Sequence, residues 1–157
     1  MSSTTEVLVV GGGPAGMAAA LSALAAGARV TLLERNEKLG KKLYITGKGR
    51  CNVTNLCGRD AFLEQVPRNP RFLNAALDFL SPADLVDWLK RLGCPTVAER
   101  GNRVFPESQK ASDVTRALSG GLAGADVRLG AGVSSLMTEQ GSARGARLDS
   151  GAEIRAR

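Results

Sequence analysis

Residues 6–16, Glu6-Val7-Leu8-Val9-Val10-Gly11-Gly12-Gly13-Pro14-Ala15-Gly16, decide the fold. A short β-branched run ends in three glycines, as expected of a strand that is buried on both faces and then turns sharply. From residue 14 to residue 26 the chain is alanine-rich and helix-favouring. Pro14 takes the first helical position, where its missing N–H costs nothing, and Gly27 supplies a C-cap. Arg29-Val30-Thr31-Leu32-Leu33 forms a second buried strand. Strand, helix and strand in so short a span predict a right-handed parallel βαβ unit.

The glycines fit the pattern G-x-G-x-x-G, and here the pattern follows a strand and opens a helix. Gly11 permits the tight turn, Gly13 lets a pyrophosphate approach the backbone, and Gly16 lets helix and strand pack closely. Pro14 and Ala15 open the helix, whose start offers free N–H groups and about half a positive charge to that pyrophosphate. Past the second strand stands Glu34, with Arg35 beside it. A carboxylate there accepts hydrogen bonds from ribose hydroxyls and repels a 2′-phosphate. FAD and NAD share this unit, so the fingerprint alone does not separate them.

Composition narrows the rest. At 157 residues, 43% hydrophobic and 23% charged, the chain has the size and make-up of one globular domain. A net charge of +6 points to an anionic partner, with nucleic acid, a membrane surface and a phosphate-rich cofactor all open at this level. No histidine occurs, which removes Ser-His-Asp and Cys-His catalysis and the commonest metal ligand. No metal site is expected. Cys51, Cys57 and Cys94 form no C-x-x-C pair and read as reduced thiols of a cytoplasmic protein. The apolar stretch at residues 18–26 is too short to cross a bilayer, so no membrane role is expected.

Further along, Phe72, Leu73, Ala76, Leu77 and Leu80 make one apolar helical stripe, and Leu85, Trp88, Leu89 and Leu92 another. Ser81-Pro82-Ala83-Asp84 between them has the form of a helix start. Residues 96–106 suggest a β-ribbon and residues 111–122 a further helix. After Gly124 come short β-like runs at residues 126–129, 133–137, 143–148 and 152–154, separated by glycine turns. Most of the six aromatics occupy apolar helix positions, so no nucleic-acid surface is expected.

The most distinctive stretch is residues 40–55, Gly40-Lys41-Lys42-Leu43-Tyr44-Ile45-Thr46-Gly47-Lys48-Gly49-Arg50-Cys51-Asn52-Val53-Thr54-Asn55. It is no Walker loop, because Gly40 and Gly47 are too far apart and Gly49 follows Lys48 where serine or threonine is needed. Backbone freedom, several cations and amide side chains suit either a diphosphate neighbour or a solvated basic loop. With Val9–Val10 and the glycines, Leu33-Glu34-Arg35, and Asn69-Pro70-Arg71-Phe72-Leu73, this stretch resembles the aminoacetone-oxidase-like family of FAD/NAD(P)-binding flavoproteins, whose relatives include flavin-dependent reductases of bile-acid intermediates. Arg103-Val104-Phe105-Pro106 and Lys110-Ala111-Ser112-Asp113-Val114 extend the match.

The resemblance implies FAD held non-covalently, its diphosphate over residues 13–16 and its adenosine ribose at Glu34. It implies that Gly49, Arg50, Cys51 and Asn52 lie along the cofactor toward the flavin, with Lys42 a phosphate or ribose neighbour and the Val133 backbone beside adenine. Cys51 lacks a suitably spaced partner thiol and is expected to position rather than exchange electrons. No catalytic residue is assignable.

The expected architecture is α/β: a Rossmann-like FAD-binding βαβ unit with a helical insert and a small antiparallel β layer. Residues 1–57 would carry the βαβ unit and basic loop, 58–124 the insert and 125–157 the β segment. Family members are more than twice as long, so the expectation is a partial FAD domain without its substrate domain. Its implied chemistry is hydride transfer between flavin and a small organic substrate. Such a chain could instead be a non-catalytic dinucleotide-binding fragment, a protein using NAD(P) alone, or one half of a split flavoenzyme completed by a second, C-terminal chain.

Overall fold

The computed structural model describes residues 5–157. These divide into two compact units, one formed by the chain up to Leu43 together with Leu118–Arg157, the other by Tyr44–Ala117.

The first unit is built on β1 (Val7–Val10), α1 (Pro14–Ala25) and β2 (Val30–Leu33), within a residue of the expected bounds. β1 and β2 pair in parallel, Val7 opposite Val30 through Val10 opposite Leu33. All four residues of β2 are buried, as a central strand requires. α1 buries Met17 and Ala20 completely. Its small residues let the helix lie close to the sheet, and burying Met17 alone is worth about 1.5–3 kcal/mol. Gly27, at φ +81°, ends the helix in the left-handed conformation that glycine adopts without strain.

A third strand, β6 (Asp126–Arg128), pairs in parallel with β2, giving the sheet order β1-β2-β6. The sequence placed this run among the terminal β strands. It pairs instead with β2 of the parallel sheet, because a three-residue polar strand carries no periodicity that could reveal what it pairs with. β7 (Val133–Glu139), β8 (Ser142–Leu148) and β9 (Glu153–Arg155) form the expected small antiparallel sheet.

The second unit holds β3 (Thr54–Asn55), α2 (Arg59–Glu64), α3 (Asn74–Phe79), α4 (Pro82–Arg91), β4 (Thr96–Glu99) and β5 (Arg103–Pro106). α5 (Ala111–Gly120) begins in this unit and ends in the first. The β4–β5 ribbon is antiparallel, and β3 adds to the far side of β5. Residues 44–57, which the sequence grouped with the βαβ unit, cluster here with the helices.

α4 starts as expected. The Ser81 hydroxyl accepts from the Asp84 N–H at 3.2 Å, and the Asp84 carboxylate accepts from the Ser81 N–H at 2.9 Å. This reciprocal cap is worth about 1 kcal/mol.

Two expectations fail here. The stripe beginning at Phe72 is not one helix. Pro70–Leu73 is a 3₁₀ turn and only Asn74–Phe79 is α-helical, since Pro70 follows Asn69 in a left-handed conformation. Nor is that apolar stripe covered throughout, because Phe72 is more than four-fifths exposed, as is Phe79 beyond it. α2 had no signature in the sequence, being a short helix without a side-chain cap or a buried residue.

Candidate cofactor site

The β1–α1 turn is shaped by what its glycines permit. Gly11 sits at φ +100°, outside the range of other residues. A Cβ on Gly16 would overlap the Gly11 carbonyl oxygen, so the third fingerprint glycine lets the helix press against the turn itself. A Cβ on Gly13 would meet nothing within 4 Å. Gly13 is therefore not needed for packing, and the space above it is open to a ligand.

α1 begins with the Met17 N–H donating to the Gly13 carbonyl at 2.9 Å, which leaves the Ala15 and Gly16 N–H groups ahead of the helical ladder. No side chain caps this end, and its first turn holds no acid. Pro14 and Ala15 are exposed there. The positive pole of the helix is thus left for an anion from outside the protein.

Glu34 is 7% exposed, yet both its oxygens are satisfied. Oε2 accepts from the Gly12 N–H at 2.7 Å, and Oε1 accepts from the Asn36 N–H at 2.8 Å and the Asn36 amide at 2.5 Å. Burial by itself pushes the Glu34 carboxyl up. The hydrogen bonds from Asn36, Gly12 and the Arg35 backbone outweigh burial and hold it below its ordinary value of 4.5. A carboxylate kept ionised beside an open anion cradle suits a ribose-diphosphate.

The backbone around Glu34 is fixed on both sides. Its N–H donates to the Arg128 carbonyl, its carbonyl accepts from Ala131, and the Asn36 carbonyl accepts from Gly130, all at 2.8–3.0 Å. Val133, the expected adenine neighbour, follows directly at the start of β7, so the structure brings it to the same segment as Glu34. Gly40 donates to the Gly12 carbonyl at 2.8 Å and Leu43 to Gly40. This ties Lys42 to the fingerprint turn by its backbone, with its side chain exposed. Arg35 is likewise exposed.

Gly49, Arg50, Cys51 and Asn52 belong to the second unit. Gly47, Lys48, Gly49 and Cys51 all have φ between +54° and +86°, a dense run of left-handed backbone that costs on the order of 1 kcal/mol at each non-glycine residue. A Cβ on Gly47 would crowd the Asn52 nitrogen at 2.9 Å.

Side chains hold this loop in place. The Arg50 guanidinium donates to the Gln109 amide oxygen at 2.5 Å, pairs with Glu99, and lies 4.0 Å from the centre of the Phe105 ring. With its amide nitrogen turned toward β5, Asn52 donates to the Thr54 and Val104 carbonyls at 3.0 and 3.3 Å. Cys51 is buried, which pushes its thiol up despite a hydrogen bond with Thr46. Its chemistry as a thiolate is suppressed accordingly.

Gly12, Leu39, Asn36, Glu99 and Gln109 were missed in the sequence. Gly12 stands at an unspecified position of the fingerprint, yet a Cβ there would overlap Leu39 and crowd Glu34. Three glycines in a row, one more than the turn needs, was the available signal. Among the described residues no group of His, Cys, Asp and Glu could hold a metal ion, and no helix is long and apolar enough to cross a membrane.

The open space at Gly13, the uncapped helix start and the ionised Glu34 fit the ADP portion of a dinucleotide. The chain is 33% identical over 127 residues to the 3-dehydro-bile acid Δ(4,6)-reductase of Clostridium scindens, covering 80% of this chain and 30% of that enzyme. It is 37% identical over 89 residues to the ribosomal RNA dihydrouridine synthase of Escherichia coli, covering 56% of this chain and 22% of that one. The chain thus spans a third or less of the curated relatives it matches. A flavocytochrome c3 fumarate reductase in its open conformation superposes with a TM-score of 0.73 at 30% identity, over 99% of this chain and 32% of the reductase. Residues 5–157 match the HI0933-like protein Rossmann domain, and the chain belongs to that family, the aminoacetone oxidase family of FAD/NAD(P)-binding oxidoreductases.

Proposed function

We propose that this chain holds FAD non-covalently and forms part of an oxidoreductase that passes hydride between the flavin and an organic substrate. The observation that carries the reading is the pairing of an open, uncapped helix start at Gly13 with an ionised, buried Glu34 in one unit. The chain's own residues have distinct tasks. Gly11, Gly13 and Gly16 let a diphosphate reach the N–H groups of α1, and Pro14 and Ala15 border it. Glu34 accepts from ribose hydroxyls, with Arg35 and the Val133 backbone on the adenosine side, while Lys42 adds positive charge. For Gly49, Arg50, Cys51 and Asn52, in the second unit, a cofactor role rests on the family resemblance, and the Arg50 and Asn52 side chains are turned to their own unit. Bound FAD would supply the hydride-carrying ring, and the protein's part is binding, orientation and electrostatics.

We take the substrate to be an activated carbon–carbon double bond. One relative is named for reducing Δ(4,6) bile acids and the other for making dihydrouridine, both saturations of such a bond. A second reading, in which the double bond belongs to a uridine base of ribosomal RNA, is favoured by the Escherichia coli relative and the net charge of +6. The three free thiols support a cytoplasmic setting.

The test is anaerobic reoxidation of the reduced, FAD-loaded protein. A cyclic enone that restores the oxidised flavin spectrum supports the first substrate, and a uridine-containing ribosomal RNA that alone does so supports the second. A protein that retains no flavin contradicts the proposal.

A further inference from the structure

We infer that Asn36 is the positioning residue that aims the Glu34 carboxylate at the ribose, and so sets the preference of this site for a nucleotide with a free 2′-hydroxyl. The inference rests on the nucleotide reading of the Gly11–Glu34 turn and names a residue that reading does not use.

The Asn36 side chain stands between two charges. Its Oδ1 accepts from the Lys41 ammonium at 3.3 Å, and its Nδ2 donates to Glu34 Oε1 at 2.5 Å. An ammonium has only donors and a carboxylate only acceptors, so the amide can satisfy both in one orientation alone. Lys41 is held in turn by Glu37 at 3.3 Å. On the other side of Glu34, the Gly12 N–H fixes Oε2 at 2.7 Å. Oε1 thus accepts two hydrogen bonds, both from Asn36, and Oε2 accepts one, from Gly12, which leaves lone-pair capacity at Oε2 for a ribose hydroxyl. Without the amide, Glu34 keeps its backbone donors but rotates more freely about its last bond, and a ribose hydroxyl must then order it.

The backbone at residue 36 does not depend on this side chain. The Asn36 carbonyl is held by the Gly130 N–H at 3.0 Å, and its own N–H donates to Glu34 at 2.8 Å. Removing the amide should thus alter the aim of the acid and leave the fold in place. Asn36→Asp changes the same contact differently, by setting a second carboxylate against Glu34 and replacing a donor with an acceptor.

The experiment is calorimetric titration of the full chain with ADP and with 2′-deoxy-ADP, for the wild type, Asn36→Ala, Asn36→Asp and Glu34→Ala, with thermal unfolding of each. The wild type should prefer ADP by about tenfold, the scale of one good hydrogen bond. Both Asn36 variants should lose most of that preference through weaker ADP binding, with 2′-deoxy-ADP affinity and unfolding temperature little changed. A general structural role would weaken both nucleotides alike, and that result would overturn the inference. So would an unchanged preference in both Asn36 variants while Glu34→Ala abolishes it, which leaves the nucleotide reading standing. A wild type that binds neither nucleotide, or whose ADP affinity ignores Glu34→Ala, overturns the nucleotide reading and this inference with it.

Discussion

The fingerprint turn at residues 11–16 and the basic loop at residues 47–55 are both glycine-rich, both contain left-handed backbone, and both were expected to contact the same cofactor. They are built in opposite ways. In the first, side chains are missing where a ligand would lie, and no side chain caps the helix start. In the second, the polar side chains are committed inward, Arg50 to Glu99, Gln109 and Phe105, and Asn52 to backbone carbonyls. A glycine pattern announces a site when it leaves donors free. A basic composition does not, because a fold can use its own cations to hold a strained loop. Lys48, which lies in the left-handed run and is exposed, is the basic side chain of that loop not committed in this way.

The largest expected effect separates packing glycines from ligand glycines. Gly16→Ala should destabilise the first unit by about 1–3 kcal/mol, since its methyl must displace the Gly11 carbonyl. Gly13→Val should leave the unfolding temperature nearly unchanged and weaken FAD binding by roughly tenfold to a hundredfold, or about 1–3 kcal/mol. Equal losses of stability in the two variants would break the distinction.

Arg50→Ala should cost about 1–2 kcal/mol of stability, combining a partly exposed ion pair with one cation–π contact. Arg50→Lys should recover little of it, because a lysine cannot lie flat on Phe105 while forking to Glu99 and Gln109. Full recovery by lysine would mean that the loop needs only a charge.

The acid response should be smaller and specific to Glu34. Its folded pKa lies below the ordinary value, so its stabilising contribution is present above about pH 4.5 and is lost as the pH falls through the folded value. Glu34→Gln should flatten that part of the stability curve, measured by denaturant unfolding across the acid range. The smallest effect is expected at Cys51. Cys51→Ser should keep most flavin binding, and in a full-length relative most turnover. A fall in kcat beyond about a thousandfold, roughly 4 kcal/mol of transition-state stabilisation, would restore a redox role for the thiol.

The βαβ unit was legible because several independent signals coincide within residues 6–34: β-branched strands, Pro14 at the helix start, Gly27 at its end, and an acid after the second strand. The capping box at Ser81 was legible for the same local reason. What stayed hidden depends on distant partners. Nothing in Asp126-Val127-Arg128 says that it joins β2, and nothing in Asn36 says that it will hold Glu34. The commitment of Arg50 likewise arises from residues 49 and 59 positions away along the chain, which no spacing rule reaches. Phe72 misled because helical periodicity reports an apolar face and not what covers it.

The central claim is that the open turn and Glu34 together hold the ADP half of FAD. It is tested most directly by titrating FAD and NAD against the wild type and Glu34→Ala by calorimetry. The account predicts tighter binding of FAD than of NAD, and a loss of about 1–3 kcal/mol in FAD affinity for Glu34→Ala, the scale of hydrogen bonds to a charged group. Tighter binding of NAD, or an FAD affinity indifferent to Glu34, would contradict it.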